Sequence, residues 1–500
     1  MNAAFRPACS TTLSALAAAL GARAPAIELA VRGLAVDSRC VLAGDVFCAL
    51  PGMKTDGTSY VRDAITRGAV AVIADENAAL TEIDVPVVRV SSLRERFGHA
   101  AAWVYGNPSE SLDVVAVTGT NGKTTVSHLC AQMLNSVGRH CGYIGTLGAG
   151  ALDGLESTGM TTPDALDLQR LMAGMLSRGM RTVALEASSH ALAQSRLTGT
   201  RVRTAVFTGL GHDHLDYHAN TRDYFEAKKR LFLHPGLACA VLNADDPWAK
   251  AVEAALPPDV SLISFSLGDS LLRIAGERTL HLVDVSYALD GTEFSVRIDG
   301  ETHEVRTRLI GDINVQNLLA ALGVMLTMGV SGDDAIRAVS EVTPVTGRLE
   351  RFGGDRHPLV FVDYAHSPDS LERVLSLLCK LKRGRLTCVF GCGGDRDRSK
   401  RPLMGRIAAC YADTVIVTSD NPRSERPAEI AREVIGDTDT SRFIVIHDRD
   451  EAICTALDSA SPDDIVLVAG KGHETVQEVH GVCTPQNDQR TVLAWLERHE

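Results

Sequence analysis

The segment "DVVAVTGTNGKTTVSHLC" (113–130) constrains this chain more than any other. Val114–Val117 is a short apolar run ended by a glycine, which predicts a buried strand. Val126, Leu129, Cys130 and Met133 then fall at i, i+3, i+4 and i+7, which predicts a helix. Between them lies Gly119-Thr120-Asn121-Gly122-Lys123-Thr124-Thr125. Strand, glycine loop and helix make one βα unit of a mostly parallel sheet. A glycine turn feeding a helix N-terminus presents backbone N–H groups to an anion. Lysine adds a point charge for outer phosphates, and the threonine hydroxyl suits Mg²⁺. Val117 stands where the usual G-x-x-x-x-G-K-[ST] loop has glycine. No Asn-Lys-x-Asp guanine reader is present, and "GCGGDR" does not match the G-x-G-x-x-G of dinucleotide enzymes, so ATP is the expected nucleotide.

Further apolar runs at 182–188, 204–210 and 239–246 end in polar or acidic residues. Ligands of open α/β sheets bind at the carboxyl ends of strands, so these ends point to one site. From about 258 to 310 the pattern alternates, with turn signals at Asp290-Gly291 and Asp299-Gly300, and predicts antiparallel β structure. "LVFVDYAH" (359–366) opens another alternation of strands and helices, with Ser367 as N-cap and Pro368 at the first helical position. The expected fold class is therefore α/β in three domains, 1–112, 113–347 and 348–500. The second is a P-loop-type ATPase with a mostly parallel sheet and the third is Rossmann-like.

A net charge of −12 argues against broad nucleic-acid binding. Twelve cysteines without a C-x-x-C pair give neither a zinc ribbon nor a thioredoxin motif, and fit reduced, buried thiols. "TTLSALAAALGARA" faintly resembles a signal peptide, but Thr11 or Thr12 can cap a short helix there. "NLLAALGVMLTMGV" is too short and interrupted to span a bilayer. A cytoplasmic monomer is expected, with no membrane span.

Six more segments follow the loop in order: "LEASSHALAQSRL" (185–197), "HDHLDYH" (212–218), "YFEAKKRLF" (224–232), "GDINVQNLLAA" (311–321), "DNPR" (420–423) and "GKGHE" (470–474). Together they resemble the Mur ligases of peptidoglycan synthesis, across roughly residues 34–475. The resemblance implies an N-terminal domain for the UDP end of the substrate, a central ATPase, and a C-terminal domain that brings in an amino acid. It also implies transfer of the ATP γ-phosphoryl to a free carboxylate of UDP-N-acetylmuramoyl-L-alanyl-D-glutamate, followed by attack of an amine on the acyl phosphate. Thr124, Glu186 and His214 match the family's Mg²⁺ site. Lys228 matches its lysine carbamylated by CO₂, the alternative being a solvated lysine beside Lys229 and Arg230. A zinc reading of His212-x-His214 competes but lacks a third ligand. Asn314 matches the ATP-base contact, Asp363 and His366 the ribose and phosphate contacts, and Arg348 a hinge arginine near the phosphates. Val36, Ser38, Met53, Lys54 and Thr55 match uridine-end positions. Thr161, Thr162, Ser188, Gln194 and Arg196 match muramoyl-peptide contacts. Gly209 stands where the family commonly has asparagine.

Asp420-Asn421-Pro422-Arg423, with Arg396, Gly470 and Glu474, resembles the set of the Mur ligases that add meso-diaminopimelate. That substrate carries a second carboxylate, which arginine's planar fork can pair with in two bonds. Three alternatives stand beside this reading: a lysine-adding relative, a folylpolyglutamate-synthase-like ligase, and a catalytically idle ATP-binding protein of the same fold.

Overall fold

A computed structural model of the 500-residue chain describes residues 11–52, 55–80, 83–211, 213–214, 217–268 and 278–499. Met53, Lys54, His212 and the run at 271–276 lie outside the described residues. Among the described residues, the three larger sheets, of four, ten and six strands, follow one another along the chain. The first has four parallel strands, Gly33–Ala35, Asp45–Ala49, Ala71–Asp75 and Val87–Val90, lying side by side in chain order. Thr12 caps the helix Leu13–Ala19 by accepting from the Ala15 N–H at 3.2 Å, and Leu13, Leu16 and Ala17 are buried. The N-terminal apolar stretch is therefore a packed helix in this structure.

The second sheet has ten strands. Cys141–Gly145, Thr182–Glu186, Asp113–Thr118, Thr204–Phe207, Cys239–Asn243, Ser261–Ser266 and Arg278–Ala288 run parallel in that spatial order. Gly148–Gly150 closes one edge antiparallel, and Gly291–Ile298 and Glu301–Thr307 extend the other. The antiparallel stretch expected from about 258 thus begins later. Ser261–Ser266 pairs in parallel on both sides and is covered by the helix Asp312–Thr327, so it belongs to the interior of the sheet. Asp299 (φ 52°) and Gly300 (φ 91°) both adopt left-handed conformations, as a two-residue type I′ hairpin turn requires. Asp312–Thr327 is apolar on nearly every side because it packs between the sheet and the helix Lys123–Ser136. Among the described residues no helix is long and apolar enough to cross a membrane.

The third sheet runs Glu350–Gly353, Leu359–Asp363, Ile465–Ala469, Leu386–Phe390, Thr414–Val417 and Phe443–Val445, all parallel except the first. Ser367 and Ser370 form a reciprocal capping box at the start of Pro368–Leu381, whose Leu371, Val374, Leu375 and Leu378 are buried. A hairpin, Val476–Val479 with Val482–Pro485, and the helix Asp488–His499 end the chain.

One buried ion pair fixes the carboxyl ends of two of these strands. The Arg449 fork donates to Asp488 at 2.7 and 2.8 Å, and to the carbonyls of Ser419 (3.3 Å) and Ala469 (2.9 Å). Neither side chain is exposed. Removing one partner of such a pair leaves a buried charge uncompensated. Asp488→Ala should therefore cost about 3–5 kcal/mol, read as a fall in the urea midpoint. A midpoint equal to the parent's would show that water or a rearranged carbonyl takes the carboxylate's place.

Candidate active site at the meeting of two sheets

The loop 119–125 lies at the carboxyl end of Asp113–Thr118 and leads directly into Lys123–Ser136. Gly122 caps that helix at φ 85°, a conformation that favours glycine, and a Cβ there would meet Asn317 Oδ1 at 2.7 Å. Neighbouring elements brace the loop. Thr208 Oγ1 donates to the Asn121 carbonyl (2.6 Å), Thr120 N–H donates to the Gly209 carbonyl (2.9 Å), and Tyr224 OH contacts Thr120 Oγ1 (3.1 Å). Gly209 itself has φ 137°, and a Cβ there would lie 2.9 Å from Asp246 Oδ2. The glycine therefore fits the backbone where the family's asparagine was expected.

Glu186, fully buried at the end of Thr182–Glu186, is held on both oxygens. Tyr143 OH (2.5 Å) and Thr146 N–H (2.8 Å) donate to Oε1, while Thr124 Oγ1 (2.9 Å) and Thr146 Oγ1 (3.2 Å) contact Oε2. Burial, with the Glu186 carboxylate beside it, pushes the Tyr143 phenol well above its ordinary range, so it stays a donor. Arg348 reaches across from the third domain to Thr124 Oγ1 at 3.1 Å, its guanidinium 4.5 Å from the centre of the Tyr364 ring. Lys123 Nζ folds back on the carbonyls of Gly119 (3.0 Å) and Thr120 (2.8 Å).

Lys228 is 1% exposed and also donates to the Gly119 carbonyl, at 2.7 Å, with its ammonium 4.4 Å from the Tyr224 ring centre. Burial pushes its pKa well below the usual lysine range, and the charge of Lys123 adds to the shift. His214, at φ 55°, stands 3.5 Å from Asp213 and packs edge-on against His190 at 4.9 Å between ring centres. Burial lowers its pKa to about 4 against the opposing pull of Asp213. Thr120, Lys123, Thr124, Glu186, His214, Lys228 and Arg348 line one cavity of about 340 Å³ with Thr161, Thr162, Ser188 and Arg196. Arg196 donates to the Thr162 carbonyl (2.7 Å) and, through its fork, to Gln194 Oε1 (3.0 and 2.7 Å). Gln194 thus orients the arginine.

A second cavity, of about 540 Å³, adjoins the first and shares His190, Asp213, His214, Tyr364 and His366 with it. Arg396, Asp420, Asn421, Arg423, Gly470 and Glu474 line its far side. Arg423 donates to Gly394 O (2.8 Å) and Glu478 Oε2 (3.2 Å). Glu474 Oε2 accepts from Asn421 (2.8 Å) and from the buried Lys471 (2.9 Å), so one of its oxygens is already engaged.

Several expected residues stand apart from both cavities. Asn314 is buried, donating to the Ile310 carbonyl at 2.9 Å. Asp363 accepts from Leu349 N–H at 2.6 Å, just ahead of Glu350–Gly353, with its pKa raised by burial. Val36, Ser38 and Thr55 belong to the N-terminal unit, where Asp37 caps the turn at Ser38–Cys40. Pro422 shapes the loop beside Gly394, its carbonyl 1.9 Å from where a Cβ there would fall. Among the described residues no group of three or more His, Cys, Asp or Glu side chains is arranged to hold a metal, and His212, the other half of the zinc reading, lies outside the described residues. Tyr143, Thr146, Thr208, Tyr364 and Glu478 were not singled out from the sequence. Tyr143 lies within the strand Cys141–Gly145, and Thr208 directly follows Thr204–Phe207. Polar residues just past strand ends were a signal that could have found Thr146, Thr208 and Tyr364, whereas Tyr143 and Glu478 lie inside strands.

Residues 30–105, 117–325 and 347–472 match, in turn, family descriptions for the "Mur ligase family, catalytic domain", the "Mur ligase middle domain" and the "Mur ligase, glutamate ligase domain". A Pseudomonas aeruginosa protein described as UDP-N-acetylmuramoyl-L-alanyl-D-glutamate–2,6-diaminopimelate ligase is 42% identical over 479 residues, covering 94% of this chain and 97% of its own. A Chromobacterium violaceum protein of the same description is 42% identical over 482 residues, covering 94% and 96%. A solved structure of a ligase so described, 35% identical, superposes with a TM-score of 0.70 over 98% of this chain and 100% of its own. MurF from Acinetobacter baumannii, at 18% identity and a TM-score of 0.66 over 98% and 100%, shares the fold. Three domain matches in succession and relatives at this identity along nearly the full length lead to one conclusion: the chain belongs to the Mur ligase family.

Proposed function

We propose that this chain is an ATP-dependent amide ligase joining meso-2,6-diaminopimelate to UDP-N-acetylmuramoyl-L-alanyl-D-glutamate, in the synthesis of a peptidoglycan precursor. The observation that carries the reading is the pair of adjoining cavities. One holds the anion loop with Lys123 and Arg348, the other is lined by Arg396 and Arg423, and they meet at Asp213, His214, Tyr364 and His366. A carboxylate activated in the first can be met by an amine presented from the second. An oxygen of the substrate's free carboxylate attacks the γ-phosphorus, the bond to the bridging oxygen breaks, and ADP leaves. The amine then attacks the acyl carbon and loses a proton, the bond from that carbon to the phosphate-bearing oxygen breaks, and inorganic phosphate departs with that oxygen. Lys123, Arg348 and the loop N–H groups stabilise charge on the transferred phosphoryl group, where positioning and electrostatics supply most of the catalysis.

Thr124 Oγ1 and Glu186 Oε2, 2.9 Å apart, are hard oxygen donors of the kind Mg²⁺ takes, with Tyr143 and Thr146 orienting the carboxylate. They would hold the ion with His214, and it would neutralise phosphate charge. Lys228 fits carbamylation for a physical reason. Its burial favours the neutral amine, the form that adds to CO₂ and, after losing a proton, becomes an anion. Lys228→Ala should be nearly inactive, and a short-chain carboxylic acid in the buffer should restore part of the rate. Full activity without the acid would remove the carbamate from the reading. The function as a whole is tested by phosphate release that depends on both diaminopimelate and the UDP-linked dipeptide. Release with neither present, or none at all, would overturn it.

A further inference from the structure

The hairpin Val476–Val479/Val482–Pro485 does more than close the domain. Its first strand runs along Asp420–Arg423 and grips that segment residue by residue. Gln477 Nε2 donates to the Asp420 carbonyl (2.8 Å), and Glu478 N–H donates to Asn421 Oδ1 (2.9 Å). Arg423 N–H donates to the Glu478 carbonyl (3.0 Å), and His480 N–H to the Arg423 carbonyl (2.8 Å). Arg423 and Val479 form a parallel bridge. Arg423 itself sits at φ 52°, a left-handed conformation uncommon for a long side chain, which persists only where the surroundings fix it. Those two backbone bonds, one on each side of its Cα, supply that fixation.

The side chain is fixed by the same strand. Glu478 Oε2 accepts from Arg423 Nε at 3.2 Å, and Gly394 O accepts from Nη1 at 2.8 Å. The two contacts hold the guanidinium plane at two points, and the fork still lines the larger cavity. We propose that Glu478 is a positioning residue for substrate selection: it orients the Arg423 fork toward the carboxylate of the incoming amino acid and never touches the reacting atoms. This rests on the function proposed above. A pre-oriented fork binds a second carboxylate without the entropy loss of freezing a free side chain. An unheld arginine must pay that loss with each substrate.

Glu478 is 40% exposed, so its replacement leaves the core untouched. Glu478→Ala should raise KM for diaminopimelate by about tenfold, the size of one partly screened charge-assisted hydrogen bond. The kcat at saturation and KM for ATP should stay at parent values. Glu478→Gln, which keeps an acceptor without the charge, should recover part of the affinity. In an Arg423→Ala background the Glu478→Ala change should add nothing, because a residue that acts through Arg423 has no effect once it is gone. An unchanged or lower KM for diaminopimelate in Glu478→Ala would overturn the proposal, the lower value showing that Glu478 competes with the substrate's carboxylate. An undiminished effect in the Arg423→Ala background, or an equal rise in KM for ATP, would overturn it by making the role purely structural. Failure of the underlying function is separable, since the parent enzyme would then show no diaminopimelate-dependent phosphate release.

Discussion

Lys123→Ala should abolish phosphate release, by about 10³-fold or more, in an enzyme whose melting temperature barely moves. The two halves of this expectation come from different contacts. Lys123 Nζ now donates only to the carbonyls of Gly119 and Thr120, the loop it would release on meeting a phosphate. Among the described residues of this cavity the other lysines and arginines already have partners of their own. Lys228 is bound to the Gly119 carbonyl, and Arg348 is engaged on Thr124 and Tyr364. The loop's shape does not depend on Lys123, because Thr208, Gly209 and Tyr224 hold Asn121 and Thr120. Losing two part-buried hydrogen bonds costs about 1 kcal/mol each, and relief of repulsion with the nearby Lys228 offsets part of that. Single-turnover phosphate release and a thermal melt therefore decide the matter together. Release near the parent rate would remove the loop from catalysis, while a collapsed melt would give Lys123 a structural role instead.

What the sequence made legible follows from how local each signal is. The strand-loop-helix at 113–136 was readable because apolar spacing, glycine and lysine all fall within one short stretch. The Ser367 cap and its helix were readable for the same reason. The parallel pairing of Ser261–Ser266 was not, since "SLISFS" mixes three serines with its apolar residues and only the strands on both sides and the helix Asp312–Thr327 laid over it make it interior. At the site, Lys123 and Thr124 were visible in the glycine loop and Glu186 as an acid at a strand's end, but the contacts that orient Glu186 come from Tyr143 and Thr146, 43 and 40 residues away along the chain. Asn314 shows the opposite case. Its motif stands out in sequence, yet its amide is turned onto Ile310 inside the fold. The grip of the final hairpin on Arg423 joins residues 55 apart, and no periodicity reports such a contact.

Meso-diaminopimelate should be preferred over L-lysine by about 10⁴-fold in kcat/KM, and Arg423→Ala should bring the two toward parity. Lysine has nearly the same aliphatic chain as diaminopimelate, so size alone discriminates little. The difference is the second carboxylate. With lysine bound, the Arg423 fork faces the cavity without it. Sites built to hydrogen-bond a substrate group reject analogues lacking it by about 10⁴ to 10⁵, because the protein's own polar groups are left unmatched. The lower end applies here, since Arg423 already donates to Glu478 and Gly394 and is 23% exposed, which softens the loss. In Arg423→Ala the activity with diaminopimelate should fall steeply while that with lysine holds or rises, because the cost paid by lysine was the unmatched guanidinium. The measurement is kcat/KM for both amino acids in parent and variant. A parent enzyme that takes lysine as readily as diaminopimelate would show that Arg423 does not read the second carboxylate, and would turn the assignment to a lysine-adding ligase of the same family.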